Sequence, residues 1–233
     1  MSIPSLSPAV SEIHSDLSRI NLETPLDVDK LNAADLRPLP SVKNDESLRP
    51  QDGLLVVSPY TTRSHLLDLN TLGHTDRLFA QAMTWMQATR EDYATAAYVD
   101  AFNWAFIVEK LRDLAWAESF AWTTTSFYLI VFRSQSLPSS DRVRLGLLDE
   151  MAHEEATASG GLLKYWFGQP DHQFRNLATC AWRSRADALR ANTGKKHQRA
   201  MLALKEMYGT CALERFELTI TNNVEGWSIA QFR

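Results

Sequence analysis

Cysteine is scarce in this sequence of 233 residues, and neither sign of charge is in large excess. The two cysteines, Cys180 and Cys211, have no CxxC spacing, which predicts reduced thiols and argues against a disulfide or zinc framework. The formal net charge is −4 and no basic stripe occurs, so nucleic acid is not expected as a partner. No apolar run is long enough for a membrane span, and the N-terminus does not read as a signal peptide. We therefore expect a cytoplasmic protein.

Several catalytic and nucleotide-binding motifs are also missing. There is no GxSxG, no Walker loop and no GxGxxG after a strand, which argues against hydrolase, nucleotide and dinucleotide functions. The segment His153-Glu-Glu-Ala-Thr157 has threonine where a metalloprotease helix needs its second histidine, so no metal site is predicted. His153 shares a helix face with polar residues, and the prediction for it is a solvated histidine.

Residues 1–50 contain no aromatic residue but six of the nine prolines. Such a segment buries too little apolar surface to offset its ordering entropy, so an extended or disordered arm is predicted, with at most one short helix near residues 10–20. Hydrophobic residues make up 45% of the whole chain, enough for a sizeable core. Residues 51–233 are accordingly predicted to form a single α+β domain.

The order of predicted elements after residue 124 indicates the fold. Aromatic and β-branched runs predict strands, and apolar residues at helical spacing predict helices. The order strand, helix, strand, strand, helix, strand is the split βαβ pattern of a ferredoxin-like core, predicted over 125–233. The predicted segments are 126–133, 140–159, 162–167, 176–183, a helix from 184, 213–221 and a closing strand at 226–232.

The part of the domain before this core, residues 51–124, is predicted to be mainly helical. A short strand is expected within 53–57, an amphipathic helix near 78–86 and another near 103–121. Neither helix has an obvious partner of its own, so both are expected to pack on the sheet of the core.

Three side chains on the core helices are candidates for polar chemistry. His197 lies on an inward stripe with Met201, where an imidazole can serve as a general acid or base, as an axial haem ligand, or simply as a core histidine bonded to a carbonyl. Glu154 and Glu155 end an apolar stripe; they either face a pocket with a raised pKa or remain exposed at its rim.

Aromatic residues on the predicted strands are candidates for binding an apolar ligand. Strand alternation places Lys164 and Trp166 on one face of the sheet and Tyr165 on the other, with Trp182 and Arg183 on the adjacent strand. Such a surface is a core, a dimer interface or a substrate pocket. The predicted substrate-binding set is Trp166, Trp182, Phe127, Met201 and Glu155, and the predicted catalytic set is His197, Tyr165, Arg183 and Glu154.

The segments Asn176–Ala188 and Gly194–Met201 resemble the strand-then-helix half of dimeric α/β-barrel proteins of the antibiotic-biosynthesis-monooxygenase type. Residues 156–168, 175–184, Pro59–Thr62 and Phe102–Trp104 are similar to signature stretches of an uncharacterised fungal protein family. The barrel resemblance implies a homodimer in which two sheets pack face to face, with a cavity between each sheet and its helices. It also implies a hydrophobic small-molecule ligand, either with no cofactor or with haem.

The leading hypothesis is therefore a cofactor-free cyclase or isomerase of specialised metabolism, with a Diels–Alder-type pericyclase as its most specific form. Catalysis would rest on holding an apolar substrate in a reactive conformer, polarised by a hydrogen bond from His197, Tyr165 or Arg183. One alternative is a haem-dependent monooxygenase or dehydratase with His197 as axial ligand. The other is a non-catalytic dimeric binding or scaffold protein whose aromatic face is the interface.

Overall fold

The computed structural model describes residues 53–233. The predicted N-terminal arm and its short helix lie outside the described residues. The described chain begins with two short antiparallel strands, β1 (Leu54–Leu55) and β2 (Leu67–Asp68), so the strand predicted within 53–57 is only two residues long. Three helices follow, α1 (His74–Ala82), α2 (Tyr98–Ala101) and α3 (Trp104–Ala117).

A five-stranded antiparallel sheet forms the centre of the structure, in the order β4-β5-β3-β6-β7. Its first four strands in chain order adopt the ferredoxin-like arrangement, which confirms the predicted fold. The strands are β3 (Thr125–Ser136), β4 (Leu162–Phe167), β5 (Arg175–Trp182), β6 (Tyr208–Ile220) and β7 (Trp227–Gln231).

One face of the sheet is covered by the helices of the core, α4 (Arg142–Ser159), α5 (Arg185–Ala191) and α6 (Lys195–Met207). Asp141 caps α4 by accepting from the Arg144 N–H, and Gly160 ends this helix at a positive φ of 81°. We call this face the helix face; Tyr128 and Tyr165 point to it.

The opposite face is covered by the chain's own N-terminal helices. Phe127, Leu129 and Leu218 point to this side and join one buried cluster with residues of α1 and α3, such as Phe79 and Leu111. The Phe79 and Phe127 rings stack with centroids 3.7 Å apart. The two helices thus pack on the sheet as predicted, although they also contact each other. We call this side the covered face.

Coverage of both faces bears on the face-to-face dimer expected from the resemblance. The sheet face opposite the core helices is filled by α1 and α3 of the same chain, and the homodimer stays a prediction. Within residues 53–233, no helix is both long enough and apolar enough to cross a membrane.

Candidate functional site

A segment from the N-terminal part of the domain crosses the outer edge of β4 and reaches helix α4. The Tyr165 N–H donates to the Val57 carbonyl oxygen at 2.9 Å, which extends the backbone pairing of the edge strand. A turn of 3₁₀ helix at Arg63–His65 then packs against α4. This path brings Tyr60 and His65 against residues of α4 that are about 90 positions later in the chain.

Five titratable side chains meet there, and we call them the polar cluster: Tyr60, His65, Asp149, His153 and Tyr165. The Asp149 carboxylate accepts a hydrogen bond at 2.6 Å from the Tyr60 hydroxyl and another at 2.6 Å from the Tyr165 hydroxyl. The Nδ1 atoms of His65 and His153 lie 2.8 Å apart. Tyr60 also covers both imidazoles, with ring centroids 5.0 and 5.2 Å away.

Burial controls the protonation of the carboxyl and the phenols. Desolvation raises the pKa of Asp149 above its ordinary value, although the hydrogen bonds from both tyrosines oppose the shift. Desolvation and the nearby Asp149 charge raise the pKa of Tyr165 well above its usual range, and Tyr60 is affected in the same way. Both phenols therefore remain protonated and can only donate to the carboxylate.

The histidine pair is neutral at neutral pH. Burial lowers the pKa of His153 to about 3, and it also lowers that of His65, which is 3% exposed. The Nε2 atom of His65 lies 3.8 Å from the Glu150 carboxylate, so this nitrogen is assigned the proton. His65 Nδ1 is then an acceptor, and His153 donates to it through Nδ1–H. By this assignment, His153 Nε2 carries a free lone pair.

Three buried polar atoms on the helix face have no hydrogen-bond partner among the described residues: His153 Nε2, Thr157 Oγ1 and Trp182 Nε1. His153 and Thr157 are four residues apart and share one side of α4. Ala156, on the same side, packs in the apolar cluster that contains Trp182. Buried polar atoms without partners are rare in proteins and mark positions where a ligand group or a water can bind.

Part of the sheet beside the polar cluster is only half-buried under the described helices. Ile130, Ala178 and Cys180 point to the helix face and are only half-buried, in contact with the cluster that holds Tyr165 and Trp182. We call these three residues the apolar floor. Acid–base groups at the edge of an apolar floor are the arrangement expected of a site for an apolar substrate. Within residues 53–233, no group of three or more His, Cys, Asp or Glu side chains is suited to a metal ion.

The prediction for His153 is wrong. Its side chain is 4% exposed and hydrogen-bonded to His65, because the polar side of α4 faces the segment around Tyr60 instead of solvent. The sequence reasoning also missed Tyr60, His65 and Asp149. The residues Asp149 and His153 at i and i+4 on one helix side were a usable signal, but their partners come from far along the chain.

The predicted carboxylates of α4 have structural partners. Lys196 Nζ lies 2.5 Å from Glu154 and holds the pKa of this partly buried carboxyl below its ordinary value. Glu155 accepts from the His197 backbone N–H at 2.9 Å and so caps the start of α6. Gly194 leaves the space for this cap, since a Cβ there would collide with the Glu155 carboxylate. Neither glutamate belongs to the polar cluster.

The other predicted site residues are spread over both faces of the sheet. Tyr165 is in the polar cluster and Trp182 is in the apolar cluster beside it. Arg183 is held by Asp187 through two hydrogen bonds of 2.8 and 2.9 Å. Met201 is half-buried on α6. Trp166 and Phe127 lie on the covered face, where Trp166 makes edge contacts with Tyr93 and Phe102.

His197 lies half-buried near the start of α6, and burial lowers the pKa of its imidazole, so the neutral form could bind a metal. A haem on that nitrogen also needs a flat cavity beside the helix. Further along α6, Ala203 and Met207 pack directly on Leu148 of α4.

An open groove of about 430 Å³ lies at the start of α1. None of the predicted site residues lines it. The lining residues are mostly polar: Gly53, Leu69, Asn70, Leu72, His74, Arg77 and Gln81.

Comparison with known proteins shows the family. The family described as PB2B2.08-like matches residues 56–231. The UPF0643 protein PB2B2.08 of Schizosaccharomyces pombe is 35% identical over 183 residues, which cover 76% of this chain and 82% of that protein.

Solved structures give weaker likenesses. Rv0793 from Mycobacterium tuberculosis matches with a TM-score of 0.34 and 16% identity, and the match covers 38% of this chain and 91% of the Rv0793 chain. A Nitrosomonas europaea protein described provisionally as an antibiotic biosynthesis monooxygenase matches with a TM-score of 0.34 and 13% identity. The match covers 39% of this chain and 94% of that protein. These likenesses carry no argument about activity. The ferredoxin-like fold follows from the strand order, and the match over 56–231 shows that this chain belongs to the PB2B2.08-like family.

Proposed function

We propose that this chain is an enzyme of small-molecule metabolism that isomerises or cyclises an apolar substrate by proton transfer, without a cofactor. The observation that carries the proposal is the buried His153 Nε2, which has no partner while the Nδ1 atom of the same ring is bonded to His65. A buried cluster of titratable groups costs stability, so its presence beside an apolar floor favours a catalytic role.

The proposed chemical step uses the two histidines as one base. His153 Nε2 takes a proton from a C–H group of the substrate, and the bonding electron pair stays on the substrate as an enolate or dienolate. The Nδ1 proton of His153 then passes to His65 Nδ1. The positive charge comes to rest on His65, 3.8 Å from the Glu150 carboxylate, which offsets the low proton affinity of His153 alone. Return of the proton to another carbon completes an isomerisation.

Access to His153 requires Tyr60 to move. This residue lies over both imidazoles and is held by a single side-chain hydrogen bond to Asp149. In the proposal, substrate binding displaces Tyr60, while Tyr165 remains on Asp149 at the edge of the apolar floor. A Diels–Alder-type reaction at the same floor would need no base, and the histidine pair would then be dispensable.

The base can be tested without knowing the substrate. 5-Nitrobenzisoxazole is an apolar aromatic compound that opens to a coloured cyanophenolate when a desolvated base removes its ring proton. The wild-type chain should accelerate this opening, and His153→Gln should lose about 10²-fold of the acceleration, the usual contribution of a general base.

The matched control is His172→Gln, because His172 is an exposed histidine outside the cluster. It should retain the wild-type rate. Equal rates for wild type and His153→Gln, or no acceleration over buffer by either, would overturn the assignment of His153 as a base.

The homodimer and the two alternative functions remain open to direct tests. The scaffold alternative placed a dimer on an aromatic sheet face, but Trp166 is covered by Tyr93 and Phe102 of the same chain. If light scattering finds a homodimer, we expect an interface outside the covered face. A Soret band on haem titration that His197→Ala abolishes would instead support the haem enzyme.

A further inference from the structure

The two edges of the central sheet differ in how they are protected from pairing with another chain. At the β4 edge the Tyr165 N–H is bonded to the Val57 carbonyl oxygen, and a bulge lies between Leu162 and the buried Lys164. A paired backbone, a bulge and an inward-pointing charge all discourage edge pairing. The β7 edge has none of these devices. Its register with β6 is regular, and Trp227–Gln231 contains no charged residue and no proline.

The hydrogen bond at the end of β7 shows which of its backbone groups face outward. The Phe232 N–H donates to the Arg215 carbonyl oxygen of β6 at 2.9 Å. Backbone groups alternate in direction along an antiparallel strand, so every second residue before Phe232 also bonds to β6. Trp227, Ile229 and Gln231 therefore present their N–H and C=O groups away from the sheet. Among the described residues, none provides a backbone partner for these outward groups.

The side chains of β7 leave apolar surface at the same edge. Trp227 and Ile229 pack at the margin of the buried cluster on the covered face and remain half-buried. The ring of Trp227 is tilted against that of Trp104, with centroids 6.5 Å apart. A further strand beside β7 would therefore satisfy the outward backbone groups and cover both of these side chains.

The sequence around β7 is complementary to itself in the antiparallel direction. Overlap of two whole β7 strands places a twofold axis at Ile229, with Trp227 of one copy opposite Gln231 of the other. The outward N–H groups then meet outward carbonyl oxygens along the strand. The same register brings Glu225 of one copy opposite Arg233 of the other, on both sides of the axis. Both of these side chains are exposed, and neither forms an ion pair within the described range.

We propose that β7 is a dimer interface, in which two copies of this chain pair their β7 strands antiparallel about Ile229 and join their sheets into one. Opposite charges at Glu225 and at Arg233 of the second copy favour this register over a shifted one. The covered face stays filled by its own helices. The two polar clusters, beside β4, lie at the far ends of the joined sheet, so the dimer does not depend on the proposed chemistry.

Sedimentation velocity on the full chain over a range of micromolar concentrations tests the interface. Wild type should form dimers, and Gln231→Pro should weaken the dimer at least about tenfold. The exposed Gln231 side chain is dispensable for the core, and proline at this position removes an outward N–H without removing a hydrogen bond to β6. Circular dichroism should show that the variant keeps the fold.

Charge reversal tests the register without changing the backbone. Glu225→Arg and Arg233→Glu should each weaken the dimer about tenfold, because each places like charges opposite one another on both sides of the axis. The double variant should restore the wild-type affinity. The matched control is Glu206→Arg, an equal charge reversal at an exposed position of α6, which should leave the dimer unchanged.

Amide hydrogen exchange provides a measurement at the edge itself. The N–H groups of Ile229 and Gln231 should exchange slowly in the dimer, and that of Ile229 should become fast in Gln231→Pro. A wild-type monomer at every concentration, or a dimer that Gln231→Pro leaves unchanged, would overturn the proposal. Slow exchange of Ile229 in a monomer would also overturn it, since another segment of the same chain would then cover β7. Charge reversals that the double variant does not rescue would overturn the register.

Discussion

His65 and His153 are 88 positions apart in the chain, yet their Nδ1 atoms share one hydrogen bond of 2.8 Å. Only one of the two nitrogens can carry a proton in that bond, so the pair has a direction. The Glu150 carboxylate near His65 sets the direction and leaves the basic lone pair on the buried side of His153. The buried histidine pair is therefore polarised, with its proton donor and acceptor fixed by the surrounding residues.

The histidine pair should make the protein sensitive to acid. The pKa of His153 falls from about 6.5 in the unfolded chain to about 3 in the folded one, so the unfolded state binds the proton first as the pH falls. The free energy of unfolding therefore falls as the pH drops from about 6.5 to about 3, by up to about 1.4 kcal/mol per pH unit. Chemical denaturation at several pH values should show a steeper loss for wild type than for His153→Gln.

Protonation of Asp149 has the opposite effect on stability. Its pKa is raised in the folded state, so the folded state binds a proton before the unfolded state does as the pH falls. Since Asp149 is common to wild type and His153→Gln, the difference between their two curves isolates the histidine pair. Parallel curves, with His172→Gln as the reference, would contradict the assignment of His153 as buried and neutral.

Tyr60 and Tyr165 should contribute similarly to the stability of the fold. Tyr60→Phe and Tyr165→Phe each remove a hydrogen bond to the same half-buried carboxylate, and each should lower the free energy of unfolding by about 1.5–3 kcal/mol. Tyr93→Phe, which removes a bond to a backbone carbonyl, should cost only about 0.5–1.5 kcal/mol. A double-mutant cycle should show coupling between Tyr60 and Tyr165. Additive losses would mean that Asp149 does not bind both hydroxyls together.

The stack of Phe79 on Phe127 should be essential for the N-terminal helices to cover the sheet. Both side chains are fully buried, and either Phe→Ala change should lower the free energy of unfolding by about 3–5 kcal/mol. Phe106→Ala, on an exposed position of α3, is the control and should cost well under 1 kcal/mol. If Phe79→Ala were equally mild by urea denaturation, α1 would not be a structural part of the domain.

Lys164 should destabilise the folded protein at neutral pH. Its side chain is 8% exposed, and desolvation lowers its pKa to about 8 from 10.5. Because the folded pKa is the lower one, the cost is complete below about pH 8 and is relieved as the pH rises toward 10.5. Lys164→Met should therefore stabilise the protein at pH 7 by roughly 1–3 kcal/mol, and by less at pH 10. A gain that did not depend on pH would indicate improved packing alone.

Local patterns in the sequence determined the ferredoxin-like core. Strand alternation placed Tyr165 and Trp166 on opposite faces, helical spacing gave α4, and Gly160-Gly161 marked its end, because these features depend on neighbours within a few residues. The bounds of β6 were less accurate. The sequence predicts a strand from residue 213, whereas β6 begins at Tyr208, directly after α6, since its first residues pair with the long end of β3.

The candidate site was decided by tertiary structure. The sequence predicts a solvated helix histidine at position 153. In the structure the segment around Tyr60 and His65 packs on α4 and buries it, and no periodicity in the sequence specifies that contact. The same holds for the covered face. The sequence predicts Phe127 and Trp166 as substrate-binding residues, but the N-terminal part of the domain packs over them. Short-range spacing fixes which side of a strand or helix a residue occupies, but only the packing of distant segments decides which of those sides meets solvent, a partner or a substrate.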